Sequence, residues 1–312
     1  MTDRAAPSAT DPFAAVQALI LQHAKRGADQ LAVHTQGHLR AAVRSLTAAK
    51  GTHIVIVTGF FIGNQADGHP ETDGPIGAAQ LGHFLQLAGW QVTLITDQNC
   101  AAAVQCARDV LHAQFNVRIL STLADISQLR SAWDQGINAP SHIIAVERAG
   151  PAADGAPHNM RGVDISATTA PLHELFAGKA AIPTITIADG VNEIGMGVMP
   201  ASAVAELGPI DAAIHCTIKV DHVVLAGVSN WGAVGFAAAA TLLDPALQQD
   251  LNAVFDPTVG DAIAQALCDG QIAVDGVTNT FTTETVDGIS AKIGHSVTKS
   301  VLAVAIAVQK LD

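Results

Sequence analysis

The stretch HIVIVTG (53–59) and its two echoes, HIIAVER (142–148) and PTITIADGVNE (183–193), decide the fold. Each is a short run rich in Ile, Val and Thr that ends abruptly in glycine or a charged residue. Short β-branched runs bounded in this way read as strands. Working outward, helical spacing over 76–88 leads to a strand at 91–96, a helix over 100–113 to a strand at 117–120, and a helix over 124–133 to the strand at 142–146. The second half continues with strands at 183–188 and 222–226, a helix over 233–243 and a last helix ending near Gln309. Ahead of the first strand, Asp11 and Pro12 read as the N-cap and first position of a helix over 12–27, and a second helix runs through 38–50. The tripeptides VDG at 274–276 and 286–288 mark turns. This alternation predicts an α/β fold, a doubly wound, mostly parallel sheet with helices on both faces and a site cleft at the carboxyl ends of the strands. No long linker or repeat interrupts it. Residues 11–312 are therefore expected to form a single domain, two lobes being the alternative, behind a disordered stretch at 1–10.

Composition narrows the function. The chain has 312 residues, 49% of them hydrophobic and 14% charged, which is ample for a core and unlike a disordered chain. Its net charge of −12, from 16 basic and 28 acidic residues, argues against a nucleic-acid surface and in favour of a small-molecule substrate. Apolar runs such as 301–308 fall far short of the roughly 18 residues of a membrane helix, and the opening residues lack the pattern of a signal peptide. A cytoplasmic protein without a membrane partner is expected, with homo-oligomerisation left open. Cys100, Cys106, Cys216 and Cys268 show neither CxxC nor metal-ligand spacing and read as ordinary core or surface residues. No GxxxxGK[ST] or GxGxxG loop is present, so neither ATP nor a nicotinamide is expected, and His173-Glu174 lacks the second histidine of an HExxH zinc site.

Polar residues gather where strands end. Glu71 and Asp73 precede a helix; Glu147-Arg148 follow the strand at 142–146, with Asn159, Arg161 and an Asp164-Ile165-Ser166 turn beyond; Asp189, Asn192 and Glu193 follow the strand at 183–188; Ser229 and Asn230 follow the last. Each has a bland reading. Glu71 and Asp73 suit the cap of the next helix, Ser229-Asn230 likewise, and Glu147-Arg148 suits a structural ion pair. The segment 227–232 also looks superficially like a serine nucleophile elbow, although it misses the final glycine of GxSxG by one position. The shared location of these loops is the argument for a site.

The segments ETDGPIGAAQL (71–81), ERAGPAADG (147–155), NMRGVDIS (159–166), DGVNEIGMG (189–197) and AGVSNWG (226–232) resemble, in order, the D-glutamate cyclase family. VDGVT (274–278) and TVDG (285–288) with a following His295 look like its bacterial members. The resemblance covers about residues 11–312. Departures fall at Ala188 and Val191, where the family usually has Gly, at Pro151, where it has Arg, and at 156–158, where it has an aromatic.

The reaction this resemblance implies is a hydro-lyase one, closing D-glutamate into 5-oxo-D-proline with loss of water. It needs a base for the ammonium, a group that polarises an unactivated carboxylate, and an acid for the departing oxygen. Asp189, Glu193 and Glu147 are the candidates for acid and base. Arg148 and Arg161 are the candidate clamps for the two substrate carboxylates, with Glu71, Asp73, Asn159, Asn192, Ser229 and Asn230 completing the substrate site. Asp189 and Glu193 are alternatively the ligands of a divalent cation, Mg²⁺ or Mn²⁺. The departures motivate a second reading, a sensor that binds an acidic amino acid without turnover; a hydrolase using Ser229 is the third.

Overall fold

Six strands form one wholly parallel sheet: β1 (His53–Thr58), β2 (Gln91–Thr96), β3 (Asn116–Ile119), β4 (His142–Val146), β5 (Thr184–Ala188) and β6 (His222–Leu225). The computed structural model describes residues 11–309, so the expectation of disorder at 1–10 lies outside the described residues. The strand order is β3-β2-β1-β4-β5-β6, with Val57 opposite Ile95 on one side and Ala145 on the other. The chain thus runs outward from β1, returns to the middle and runs outward the other way. At the reversal the loops after β1 and β4 leave in opposite directions, which opens a crevice at their carboxyl ends.

The longer helices are α1 (Pro12–Ile20), α2 (His38–Ala48), α3 (Pro75–Leu87), α4 (Ala101–Val110), α5 (Leu123–Asp134), α6 (Ser229–Thr241), α7 (Gln248–Phe255), α8 (Pro257–Asp269) and α9 (Ala291–Gln309). Both faces of the sheet are covered. Ile54 and Ile56 of β1 pack into the larger core with Leu81 and Phe84 of α3 and Phe236 of α6. Val55 and Val57 face the other way, toward Ile126 and Trp133 of α5 and Leu172. This double covering is why β1 shows no polar alternation. Helix α6 is the hub: every residue except Asn230 is buried, and its sequence SNWGAVGFAAAAT has no polar face to offer water. Gly232 lets it lie on β5, since a Cβ there would come within 2.4 Å of the Ile187 side chain. No helix among the described residues is long and apolar enough to cross a membrane.

Most expected boundaries shift by one to three residues, and two shift by four or more, both for tertiary reasons. The helix over 12–27 stops at Ile20 because the Ile20 carbonyl accepts the N–H of Gly227 (2.7 Å) from the far side of the chain, leaving Ala24 to donate to Leu21 instead. The turn that follows puts Arg26 at φ 56. The helix expected over 233–243 begins four residues early, at Ser229, because its first amides are capped by Asp73 from another loop.

Candidate active site

Four loops leave the carboxyl ends of β1, β4, β5 and β6 and meet. After β1 the chain makes a short hairpin (61–62 with 69–70) and comes back as 70–72 beside the C-terminal segment at 274: Thr72 donates to the carbonyl of Val274 (2.9 Å), and Val274 to that of Pro70 (2.9 Å). Glu147 follows β4 directly, with φ 45, a left-handed conformation that a glutamate adopts at a cost of roughly 1–3 kcal/mol. Gly74 makes room for it: its φ is 88, and a Cβ on it would come within 2.6 Å of the Glu147 side chain. After β5, Glu193 folds back so that its Oε1 accepts the N–H groups of Asp189 (2.8 Å) and Gly190 (2.7 Å).

Helices α3 and α6 cap one another. Asp73, just ahead of α3, accepts the N–H of Ser229 (2.9 Å) and of Asn230 (2.8 Å) at the start of α6. Asn230 returns the arrangement, its Oδ1 accepting from Gly74 (3.1 Å) and Gly77 (2.7 Å) at the start of α3. Each side chain therefore serves the helix of the other loop, and the two N-termini, with their partial positive charge, point at one place. Ser229 donates its hydroxyl to Glu147 Oε2 (2.5 Å). Its partner is thus a carboxylate where the Ser-His-Asp arrangement has an imidazole.

Six carboxyl groups lie buried here: Glu71, Asp73, Glu147, Asp189, Glu193 and Asp287. Among the described residues their ion pairs come from one guanidinium, that of Arg26, which reaches Asp189 (2.6 Å) and Asp287 (2.7 Å). One positive charge cannot balance six desolvated negative ones. Burial, followed by repulsion among the group, accordingly holds Glu71, Asp73, Glu147 and Glu193 well above the usual carboxylate range. Asp189 is pushed up by burial and pulled back by Arg26, ending at about 7. Burial alone would lower Arg26, but Asp189 and Asp287 outweigh it and keep the guanidinium firmly charged.

Beside the cluster lies a cavity of about 360 Å³ whose wall includes Arg26, Glu71, Glu147, Asn159, Arg161 and Asn192. That is ample for a small amino acid. Asn192 donates to the carbonyl of His158 (2.9 Å), and Asn159 Oδ1 accepts the N–H of Arg161 (2.9 Å) and Val163 (3.1 Å), so both asparagines fold the 158–163 loop over the opening. The exposed Arg161 is thereby set at its mouth. For a cation, Asp73, Glu147 and Asp189 each offer an oxygen, all within 4.8 Å of one another.

Arg148 is placed elsewhere. Its guanidinium is 1% exposed and is bound to Asp97 (2.6 Å) and to the carbonyls of Gly59 (2.7 Å) and Ala170 (2.6 Å), a strut between the β1, β2 and β4 loops with no reach into the cavity. Its neighbour in sequence, Glu147, is not its partner. The departures at Ala188 and Val191 are fully buried in the apolar cluster beneath the β5 loop and do not line the cavity. Arg26 and Asp287 are the residues that sequence reasoning missed. Asp287 had a signal, the second VDG turn, whose aspartate sits at φ 55; Arg26 had none, since it lies in what reads as a helix end.

The family profile described as D-glutamate cyclase-like, C-terminal, matches residues 16–301. A curated relative, "D-glutamate cyclase, mitochondrial" of Homo sapiens, is 32% identical over 211 residues, covering 64% of this chain and 34% of that protein. The chain therefore spans about a third of the length of the curated relative it matches. The ordered loops that build the carboxyl cluster all fall inside the matched region. This chain belongs to the D-glutamate cyclase-like C-terminal family.

Proposed function

We propose that this chain closes an acidic amino acid into a five-membered lactam, D-glutamate giving 5-oxo-D-proline and water. The observation that carries the reading is the cavity itself, whose wall sets two protonatable carboxyls, Glu71 and Glu147, beside the guanidinium groups of Arg26 and Arg161. The similarity to a human D-glutamate cyclase agrees in kind. The four free cysteines suit a reducing compartment, and we place the reaction in the cytoplasm.

One C–N bond forms and one C–O bond breaks. Two protons leave the ammonium nitrogen, and two depart with the released oxygen as water, so the site needs groups that accept and return protons without net change. Ring closure is intramolecular, and holding the ends in reacting geometry lowers the barrier by up to roughly 7–11 kcal/mol. Burial raises both carboxyls: Glu71, in its neutral form, is the acid for the departing oxygen, and Glu147, oriented by Ser229 and the stronger base in its ionised form for that raised proton affinity, accepts the ammonium proton. Arg161 pairs with the α-carboxylate at the mouth. Arg26, anchored by Asp189 and Asp287, keeps donors to spare for the γ-carboxylate. In this reading Asp189 and Glu193 act from behind the cavity wall, the first by holding Arg26 and the second by shaping the β5 loop.

The test is proton NMR of the chain incubated with each enantiomer of glutamate and of aspartate, with and without Mg²⁺ or Mn²⁺. Lactam signals from one enantiomer of glutamate, and none from aspartate, whose chain is too short for the five-membered ring, are expected. If millimolar glutamate of either hand stays unchanged while binding is still measurable, the chain is a sensor and the reaction is withdrawn.

A further inference from the structure

We propose that Asp73, Glu147 and Asp189 bind one hard divalent cation, Mg²⁺ or Mn²⁺, at the meeting point of the β1, β4 and β5 loops. Their candidate ligand oxygens lie within 4.8 Å of one another, and the three residues are 2%, 4% and 3% exposed. A cluster of acids alone would say little. The independent observation is what Asp189 does with its two oxygens. Oδ1 accepts from Arg26 (2.6 Å), while Oδ2 is sealed from solvent and meets no N–H or hydroxyl donor, and burial, together with the Asp287 carboxyl beside Asp189, raises its hold on a proton. Glu193, four residues on, repeats the pattern: Oε1 takes two loop amides, and Oε2 is buried with no partner. A carboxylate oxygen left in this state costs roughly 1–3 kcal/mol or more and calls for a bound ion, a water or a shared proton.

The donor set names the kind of occupant. All three ligands are carboxylate oxygens, with no imidazole or thiolate among them, which favours Mg²⁺ or Mn²⁺ over zinc or copper. Two positive charges added beside Arg26 would also relieve the excess of buried carboxylates. The set proposed differs from the expected pair of Asp189 and Glu193: Glu193 Oε1 is held by the turn that positions Asp189, while Asp73, delivered from the β1 loop, joins Glu147 and Asp189. Asp73 already accepts from the start of α6, so a cation here would also tie the two capped helices to the β5 loop. The consequence for chemistry rests on the lactam-forming reading: a cation at these oxygens holds Glu147 ionised and able to accept a proton.

The experiment uses the full chain, stripped with EDTA, without amino acid. Mn²⁺ is titrated by calorimetry and by the loss of its free-ion electron paramagnetic resonance signal. One equivalent per chain is expected, with Asp189→Asn and Glu147→Gln weakening it by roughly 100-fold or more and Glu193→Gln, which keeps the oxygen that accepts the loop amides, staying close to wild type. Folding of each variant is checked by circular dichroism. Wild-type chain that leaves millimolar Mn²⁺ and Mg²⁺ free overturns the proposal and points to proton sharing among the carboxyls; undiminished binding by both ligand variants overturns it too, as a surface site only. Binding without lactam would remove the reaction and leave the site, whereas lactam at full rate in EDTA without binding would do the reverse.

Discussion

The two ends of the parallel sheet hold the same ingredient, buried or half-buried titratable groups, and treat it in opposite ways. At the amino end His53 opens β1, His142 opens β4 and His222 opens β6, with His38 edge-on to His222 at 5.9 Å. Burial lowers all four, aided at His38 and His142 by the charge of His222, and His142 falls to about 4 despite the opposing pull of Asp221. Ring nitrogens there find partners: His142 has Ser45 (2.9 Å) and Ser141 (3.1 Å), His53 has Thr93 (3.0 Å), and His38 accepts the N–H of Val223 (3.1 Å). At the carboxyl end the carboxyls outnumber their counter-charge, Glu147 sits at φ 45 and two carboxylate oxygens have no partner. Burial of a titratable group is thus no mark of function by itself. The satisfied end is built to stay as it is, and the unsatisfied end is built to receive something.

Substitutions at the two ends should separate accordingly. The largest effect is expected at Glu147→Gln, which removes the proton acceptor: turnover should fall by roughly 100- to 10,000-fold with the melting temperature held or raised, because a crowded buried carboxyl is replaced by a neutral isostere. Steady-state kinetics beside a thermal melt check this, and a variant that melts early but turns over normally would move Glu147 to the structural side. Arg26→Ala comes next. It strips Asp189 and Asp287 of their partner and should cost roughly 2–4 kcal/mol in a urea titration, less than a fully buried pair because the guanidinium side chain is 20% exposed. A loss below about 0.5 kcal/mol would class it with surface pairs.

Arg161→Ala should weaken binding of glutamate by roughly tenfold, the low end for a charged hydrogen bond because the site is exposed, and leave the melt unchanged. Calorimetry decides; equal affinity makes Arg161 a bystander. The smallest effects concern pH. Asp189 binds its proton more tightly folded than unfolded, so between its ordinary 3.8 and about 7 the folded state holds the extra proton and stability declines as pH rises. Glu71, Asp73, Glu147 and Glu193 act in the same sense. His142 does the opposite: between about 4 and 6.5 the unfolded chain binds the extra proton, and stability declines as pH falls. Between about 4 and 6.5 the two therefore oppose one another, and above 6.5 the carboxyls act without His142, so in EDTA the melting temperature should fall as pH rises past 6.5. His142→Gln should make the melting temperature fall more steeply between about pH 4 and 6.5 and leave the higher range unchanged, and saturating Mn²⁺ should flatten the fall above 6.5. A melting curve indifferent to pH from 5 to 8 would show that neither end titrates as described.

Much of the scaffold was legible in the residues. HIVIVT, HIIAV and TITIA read as strands from their β-branched content, and none carries an acidic or Lys/Arg residue, as suits a central parallel strand with apolar layers above and below. The loops ending these strands were legible as site loops for a similar reason: a parallel sheet sends every carboxyl end to one rim, so Glu71, Glu147, Asp189 and Ser229 had to arrive on the same side.

What those side chains do on arrival depended on partners distant in sequence. Arg148 and Arg161 are equally plausible clamps as letters, but Asp97, 51 positions before Arg148, draws the first into the scaffold and leaves the second at the mouth. Asp73 and Asn230 read as caps of their own helices and cap each other's. Arg26 looked like the tail of a helix until the Ile20 carbonyl was taken by Gly227, 207 positions on. Local pattern by itself determined the strands, their order of appearance and the rim where chemistry gathers, since burial and backbone periodicity act between near neighbours. Which carboxylates face the cavity, which guanidinium balances them and which oxygens are left without a donor was decided only by the tertiary structure, because a hydrogen bond or ion pair is settled by distance in space among groups the chain brings in from both of its ends.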